Sequence, residues 1–270
     1  MATDGKIVAY FAPGGGLGHL NRALAVCLEL REAGVDARIV TNSPFSAGLA
    51  GLVKCPMVRV LGDWADGARA YVEETRPRAV VTDTFPYGLR EEWRGGAPGC
   101  LIHVARRLRA PVFLTRADFA LILEAEPLAA GHRAALGSSV VLEGPIILAP
   151  GRVRTPVPAA LDMDGLTLVV HSGPAEEVEV LRAMAAGPHV LISPWAGWEY
   201  YPATNLYARA ERVITGAGYN SMADMLAHKG RHKAVAFERR HDDQAARLRS
   251  FFRTAGNGTG QAVRAICSVL

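Results

Sequence analysis

Between Val213 and Arg247 the chain reads VITGAGYNSMADMLAHKGRHKAVAFERRHDDQAAR. The apolar run Arg212 to Thr215 predicts a short strand. Gly216-Ala217-Gly218 then permits a tight turn and close backbone approach to a ligand. Asn220 or Ser221 is placed to cap a helix running through Met225 to His228. Lys233 to Phe237 predicts a second strand, with Asp242-Asp243-Gln244 at its C-terminal end. Strand, glycine turn, helix and strand in this order form one parallel α/β unit, and the start of its helix offers free N–H groups to a phosphate. Asp224 lies four residues past Asn220 on the same helical side, where a carboxylate could receive ribose hydroxyls.

The same alternation extends outward. Lys6 to Ala12 predicts a strand, Gly14 to His19 a glycine-rich turn, and Leu20 to Ala33 an amphipathic helix ended by Gly34. Strand signals recur at Arg38 to Thr41, Val58 to Leu61, Ala79 to Thr82 and Val112 to Thr115, with helix-like stretches at Ala68 to Thr75 and Leu101 to Arg109. After Val140 to Leu142, the segment 149–165 carries three prolines and no periodicity, as a linker does. The pattern then restarts with a strand at Leu166 to Val170, a helix at Pro174 to Ala186, a strand at Val190 to Ser193 and a helix at Ala203 to Arg209. The expected fold is α/β, with two Rossmann-like doubly wound domains and a cleft between them. Residues 1–148 form the first domain, 149–165 the linker and 166–270 a shortened second domain.

The bulk numbers fit this division. The 270 residues are 50% hydrophobic and 21% charged, enough to build two cores. A net charge of +4 suits an anionic ligand such as a nucleoside diphosphate but is too modest and dispersed to call for nucleic acid. Cys27, Cys55, Cys100 and Cys267 are far apart and form no CxxC pair, so neither a zinc site nor a disulfide framework is indicated. No apolar run approaches the roughly 18 residues of a membrane span, and Met1 to Lys6 lacks signal-peptide character. The expected compartment is the cytoplasm.

Three loops carry candidate chemistry. In Gly14-Gly15-Gly16-Leu17-Gly18-His19, the glycines let backbone lie beside a substrate. His19 has the pKa range of a general base, although a tight turn with a capping histidine would look the same. Asp83, at a strand end, could orient His19 or simply be solvated. His171-Ser172-Gly173-Pro174 joins a strand to a helix and could hold a diphosphate through N–H groups and the Ser172 hydroxyl. Glu176 and Glu177 make a plain capped turn an equal reading. The third loop is that of Gly216 to Ser221. Arg106-Arg107 and Arg239-Arg240 read as solvated faces. Trp195, Trp198, Tyr200 and Tyr201 could stack a base or sugar, or pack a surface between domains. His241, Asp242 and Asp243 are adjacent and cannot all face one ion, so no metal is expected.

With these residues in place, the chain resembles the GT-B glycosyltransferases, in the branch of the MurG-type and UDP-glycosyltransferase enzymes. GGGLGHLNRALAVCLELREAG is similar to that branch's first glycine loop and helix. YPATNLYARAERVITGAGYNSMADMLAHKG with the closing HDDQAARL is similar to its C-terminal signature. The resemblance implies an acceptor-binding first domain and a second domain that binds a nucleotide-diphosphate sugar, with a uridine-linked donor expected. It also implies metal-independent transfer of a hexosyl type with inversion, and no cofactor beyond the donor. His19 is then the base, and Gly15, Gly16 and Gly18 shape the loop near the donor phosphates. Gly218, Tyr219, Asn220 and Ser221 meet diphosphate or nucleotide. Asp224 stands where relatives carry a ribose-binding glutamate, Asp243 and Gln244 match the pair that contacts the transferred sugar, and Arg231 replaces a common proline. About 105 residues follow the linker, leaving little room for the C-terminal helix that crosses back in relatives. The acceptor is expected to be a small molecule or lipid-linked and to be read by the loops 41–52, 86–99 and 116–132. Arg90 and Arg94 beside Trp93 allow peripheral membrane contact. Two competing readings are a silent nucleotide-sugar-binding module and a GT-B-fold sugar-nucleotide 2-epimerase.

Overall fold

The computed structural model describes residues 7–110, 112–153, 155, 165–195, 200–252 and 256–270. Trp198 and most of the expected linker lie outside the described residues. The chain divides into two compact units, Met1–Leu148 with Gly256–Leu270, and Ala149–Ala255.

The first unit is built on seven parallel strands in the order β3-β2-β1-β4-β5-β6-β7. They are β1 (Val8–Ala12), β2 (Ala37–Thr41), β3 (Met57–Arg59), β4 (Ala79–Asp83), β5 (Cys100–Ala105), β6 (Leu121–Glu124) and β7 (Val140–Val141). Its helices up to Leu148 are α1 (Leu17–Glu32), α2 (Ser46–Ala50), α3 (Trp64–Thr75) and α4 (Ala130–Leu136). Every residue of β1 and β4 is buried, as expected of central parallel strands covered on both faces. Phe11 anchors one layer of the core, with Trp64, Tyr71 and Trp93 edge-on around it at 5.1 to 6.5 Å.

Two expectations in this unit are corrected. Residues from Leu101 onward, read as helix-like, form strand β5, because a continuous apolar run buried on both sides shows no period that separates strand from helix. Val112 to Thr115, read as a strand, has no regular structure; the next strand is β6.

The end of the chain also departs from the expected 166–270 domain. Helix α9 (Thr259–Ser268) packs against α1 and groups with the first unit. The reason lies in α1, whose buried residues Leu20, Ala23, Leu24, Ala25, Val26, Cys27 and Leu30 wrap most of its circumference. The sheet covers part of it, and α9, whose Ala262, Val263 and Ile266 are buried, packs against it as well. The returning chain crosses Gly144 so closely that a Cβ on Gly258 would lie 2.1 Å from the Gly144 carbonyl oxygen. A Cβ on Gly256 would stay 3.5 Å from its nearest neighbour. Gly258→Ala is therefore expected to cost about 1–3 kcal/mol, read as a lower urea midpoint, with Gly256→Ala close to neutral. Equal midpoints for the two variants would contradict this crossing.

The second unit has four parallel strands in the order β11-β10-β8-β9. They are β8 (Thr167–Val170), β9 (His189–Ile192), β10 (Arg212–Gly216) and β11 (His232–Val235). The helices are α5 (Ala175–Ala183), α6 (Thr204–Tyr207), α7 (Tyr219–Asp224) and α8 (Gln244–Arg249). A tighter 3-10 stretch, Met225–Arg231, continues α7. Among the described residues, no helix is long and apolar enough to cross a membrane.

Candidate functional site

Each sheet has one place where the connections reverse direction, and ligands of open α/β sheets bind at the carboxyl ends of the strands there. In the first unit that place lies between β1 and β4, and in the second between β8 and β10.

Beyond β1, Gly14 turns the chain at φ +115, and its N–H is held by Asn42 Oδ1 at 2.8 Å. Helix α1 starts at Leu17, earlier than expected, which puts His19 inside its first turn. No side chain caps this start and no acidic residue occupies the first turn. Cβ atoms at Gly15, Gly16 or Gly18 would meet nothing within 4 Å, so the loop surface is bare.

At the end of β4, Asp83 is 2% exposed and lies 3.2 Å from His19, Oδ2 to Nδ1. The carboxylate accepts from Nδ1–H, which leaves the Nε2 lone pair for a substrate. The expected pairing of these two residues is thus present in space. Its third member was not expected: Arg22, 1% exposed, donates from Nε to both carboxylate oxygens at 3.2 and 3.0 Å and from Nη2 to Oδ1 at 3.1 Å. Thr84 adds its hydroxyl to Oδ1 at 3.0 Å and is itself held at φ +75, a costly conformation for a β-branched residue.

The electrostatics follow from this packing. Burial opposes ionisation of Asp83, but the Arg22 and His19 interactions outweigh it and hold the carboxyl well below its usual range. Burial lowers the His19 pKa and the charges of Arg22 and Arg106 lower it further, against the upward pull of Asp83. The imidazole is neutral at neutral pH. Arg106, read as part of a solvated face, is 7% exposed and pairs with Glu126 at 3.4 Å, because the segment after β5 turns inward beside this cluster. Trp93, read as a surface residue, is 3% exposed within the core, and Arg90 and Arg94 pair with Asp63 and Glu91. That removes the aromatic anchor from the expected membrane contact.

The second unit uses its candidate residues differently. His171, after β8, meets Glu177 of α5 at 2.7 Å, and Glu177 also pairs with Arg239. Phe237 lies against the imidazole, with ring centroids 5.4 Å apart. Burial lowers the His171 pKa against the pull of Glu177. A Cβ on Gly173 would fall 2.3 Å from His171 Nε2, and one on Gly216 2.8 Å from Cε1. Both glycines therefore make room for His171 within the protein. Arg239, expected on a solvated face, is drawn in by Glu177. Ser172 presents its carbonyl to the Trp195 indole N–H at 3.2 Å, and Trp195 is 55% exposed beside this loop. Tyr200, by contrast, is core and donates its hydroxyl to the Thr155 carbonyl at 2.8 Å.

After β10, Gly218 precedes α7, and a Cβ there would meet nothing within 4 Å. Asn220 and Ser221 are partly exposed on the first turn, whereas the Tyr219 ring is buried edge-on to Phe251 at 5.8 Å. Arg247, fully buried and unforeseen, fixes this loop. Its Nη1 donates to the Ala217 carbonyl at 3.2 Å and to Asp242 at 2.9 Å. Asp243 caps α8 by accepting from Ala246 N–H at 2.9 Å. Gln244, 5% exposed, accepts from Phe237 N–H at 3.0 Å, which turns it inward rather than toward a ligand. Asp224 keeps some solvent contact, yet burial pushes its carboxyl up to about 8. That shift favours the protonated form, which can donate as well as accept. Arg231 ties back to the carbonyls of Ala208 and Ala210 at 2.9 and 3.1 Å.

Similar architectures occur among solved structures. A glycosyltransferase of Streptomyces sp. SF2575 complexed with thymidine diphosphate aligns over 97% of this chain and 86% of its own, with a TM-score of 0.57 and 13% identity. The glycosyltransferase SnogD from Streptomyces nogalater aligns over 98% and 96%, at 0.53 and 15%. The chain has the GT-B fold. The same GT-B likeness extends to a putative UDP-N-acetylglucosamine 2-epimerase from Listeria monocytogenes, over 99% and 88%, with a TM-score of 0.52 and 9% identity. The GT-B fold alone therefore does not select the reaction. No protein-family model matches the sequence, and no curated protein matches it.

Proposed function

We propose that this protein is an inverting glycosyltransferase that moves a hexosyl group from a nucleoside diphosphate sugar to a hydroxyl or amine acceptor. One observation carries the reading: an imidazole at the sheet's reversal point, oriented through Nδ1 by a buried carboxylate, with Nε2 unengaged among the described residues. In the proposed step the acceptor proton passes to Nε2 as the acceptor atom bonds to the anomeric carbon. The anomeric C–O bond breaks, its electron pair leaves with the nucleoside diphosphate, and attack from the opposite face inverts the centre.

The developing phosphate charge is met by helix N-termini in this reading, α1 being uncapped and free of acidic residues in its first turn. Gly218, Asn220, Ser221, the acid Asp224 and the second carboxylate oxygen of Asp243 are the proposed contacts in the donor unit. The α5 start is less suited, since Glu176 and Glu177 occupy its first turn. Turnover is accordingly expected to survive EDTA unchanged; loss restored by magnesium or manganese would show that the phosphate charge needs a metal.

Uridine is the proposed base of the donor. Because the Streptomyces sp. SF2575 enzyme is complexed with thymidine diphosphate, thymidine belongs in the same test. A thermal-shift panel of uridine, thymidine, guanosine and adenosine diphosphate sugars tests the reading, with stabilisation expected from the uridine member and a flat response to all four overturning it. A second reading is nucleotide-sugar binding without turnover, motivated by Asp224 standing where relatives carry a glutamate. Binding with neither transfer nor hydrolysis would select it.

A further inference from the structure

The residues facing His19 raise a question of charge. An imidazole whose only partner were a buried carboxylate would tend to take up a proton and become the cation of an ion pair, which would destroy it as a base. Here a different cation is built in. Arg22 sits one helical turn beyond His19 on α1, so both side chains leave the same face of the helix. Its guanidinium forms a two-point contact with Asp83, and Nη2 comes within 3.4 Å of His19 Nδ1. Arg106, from the segment after β5, adds a second positive charge, and among the described residues Asp83 of β4 is the negative one acting on the ring.

We propose that Arg22 is a positioning residue for the base: it takes the role of counterion to Asp83, so that the carboxylate orients His19 without protonating it. The inference rests on the glycosyltransfer reading for its consequence in turnover, but not for its effect on the imidazole. Three features support it. Arg22 is almost completely buried, so it has no solvent role. A guanidinium fork satisfies both carboxylate oxygens at once, which an ammonium does not. The remaining contact to Asp83, the Thr84 hydroxyl, is neutral and cannot balance the charge.

The test is the titration of His19 in ¹⁵N-histidine-labelled protein, with its resonances assigned by a His19→Gln variant. In the unaltered protein the neutral ring is expected to carry its proton on Nδ1 and to titrate below the free imidazole. Arg22→Gln is expected to raise the midpoint by about one pH unit or more, since an opposing charge is removed at close range. Arg22→Lys, which keeps the charge without the fork, is expected to raise it less. The acid limb of kcat should move with the midpoint. An unchanged midpoint in folded Arg22→Gln overturns the proposal. If that variant does not fold, the unaltered protein decides: an Nε2–H tautomer, or a ring already protonated at neutral pH, overturns it equally. Absence of turnover with every donor would remove the glycosyltransfer reading and leave the titration result standing.

Discussion

A His19→Ala variant is expected to lose transfer by roughly 10²- to 10⁴-fold, the usual contribution of a positioned general base, while still binding a nucleoside diphosphate sugar. The separation of these two effects follows from the geometry. His19 is the only member of its cluster with appreciable exposure, its side chain being 22% accessible against none for Asp83. Removing it leaves Asp83 satisfied by Arg22 and Thr84, so the fold has little to lose. The proposed donor contacts belong to the other compact unit. Rates and calorimetric donor affinity measured side by side check the expectation. Unchanged turnover would take His19 out of the mechanism, and loss of donor affinity in parallel would mean that the loop itself had collapsed.

Asp83→Ala is expected to act mainly on stability, by about 3–5 kcal/mol, because it takes the carboxylate away from the buried Arg22 guanidinium. It should also lower turnover, since nothing then fixes the His19 tautomer. The effect has a definite pH signature. The Asp83 carboxyl is depressed below its ordinary value of 3.8, so its contribution is complete above that value and fades as pH falls beneath it. Urea midpoints of the two proteins should therefore differ strongly at neutral pH and converge as the pH drops below 3.8. The His19 imidazole is also depressed, from 6.5, so its neutral state begins to cost stability as pH falls through 6.5 in the unaltered protein. A gap between the proteins that stays constant into strong acid would show that Asp83 is not an ionised partner of Arg22.

Much of the cluster was readable from residue order. Gly14 to His19 announces a βα turn, and an acidic residue closing the apolar run Ala79 to Thr82 places Asp83 at a strand end. Arg22 carried a signal of its own: a cation one turn after His19, in a helix whose other neighbours are Leu20, Ala23 and Leu24. Arg247 was less legible, since an arginine in a short polar helix normally faces water; here it is buried against the Ala217 carbonyl and Asp242. The pair Asp243-Gln244 shows the opposite failure. The residues stand where the family resemblance puts them, but Gln244 spends its carbonyl on the backbone of Phe237.

By itself the sequence determined the alternation of strands and helices, the parallel α/β class, the break near residue 149 and the positions of the glycine turns. These depend on local propensity and on the apolar runs of buried strands, which act over a few residues. Tertiary structure decided the rest. It made Leu101 to Ala105 a strand through pairing with β4 and β6, and it returned α9 to pack against α1. It also drew Arg22, Asp83 and Arg106, distant in sequence, into one buried charge cluster around His19. Burial of a charge is decided by which opposite charge the folded chain brings within about 3 Å of it, and that distance is not written in the order of residues.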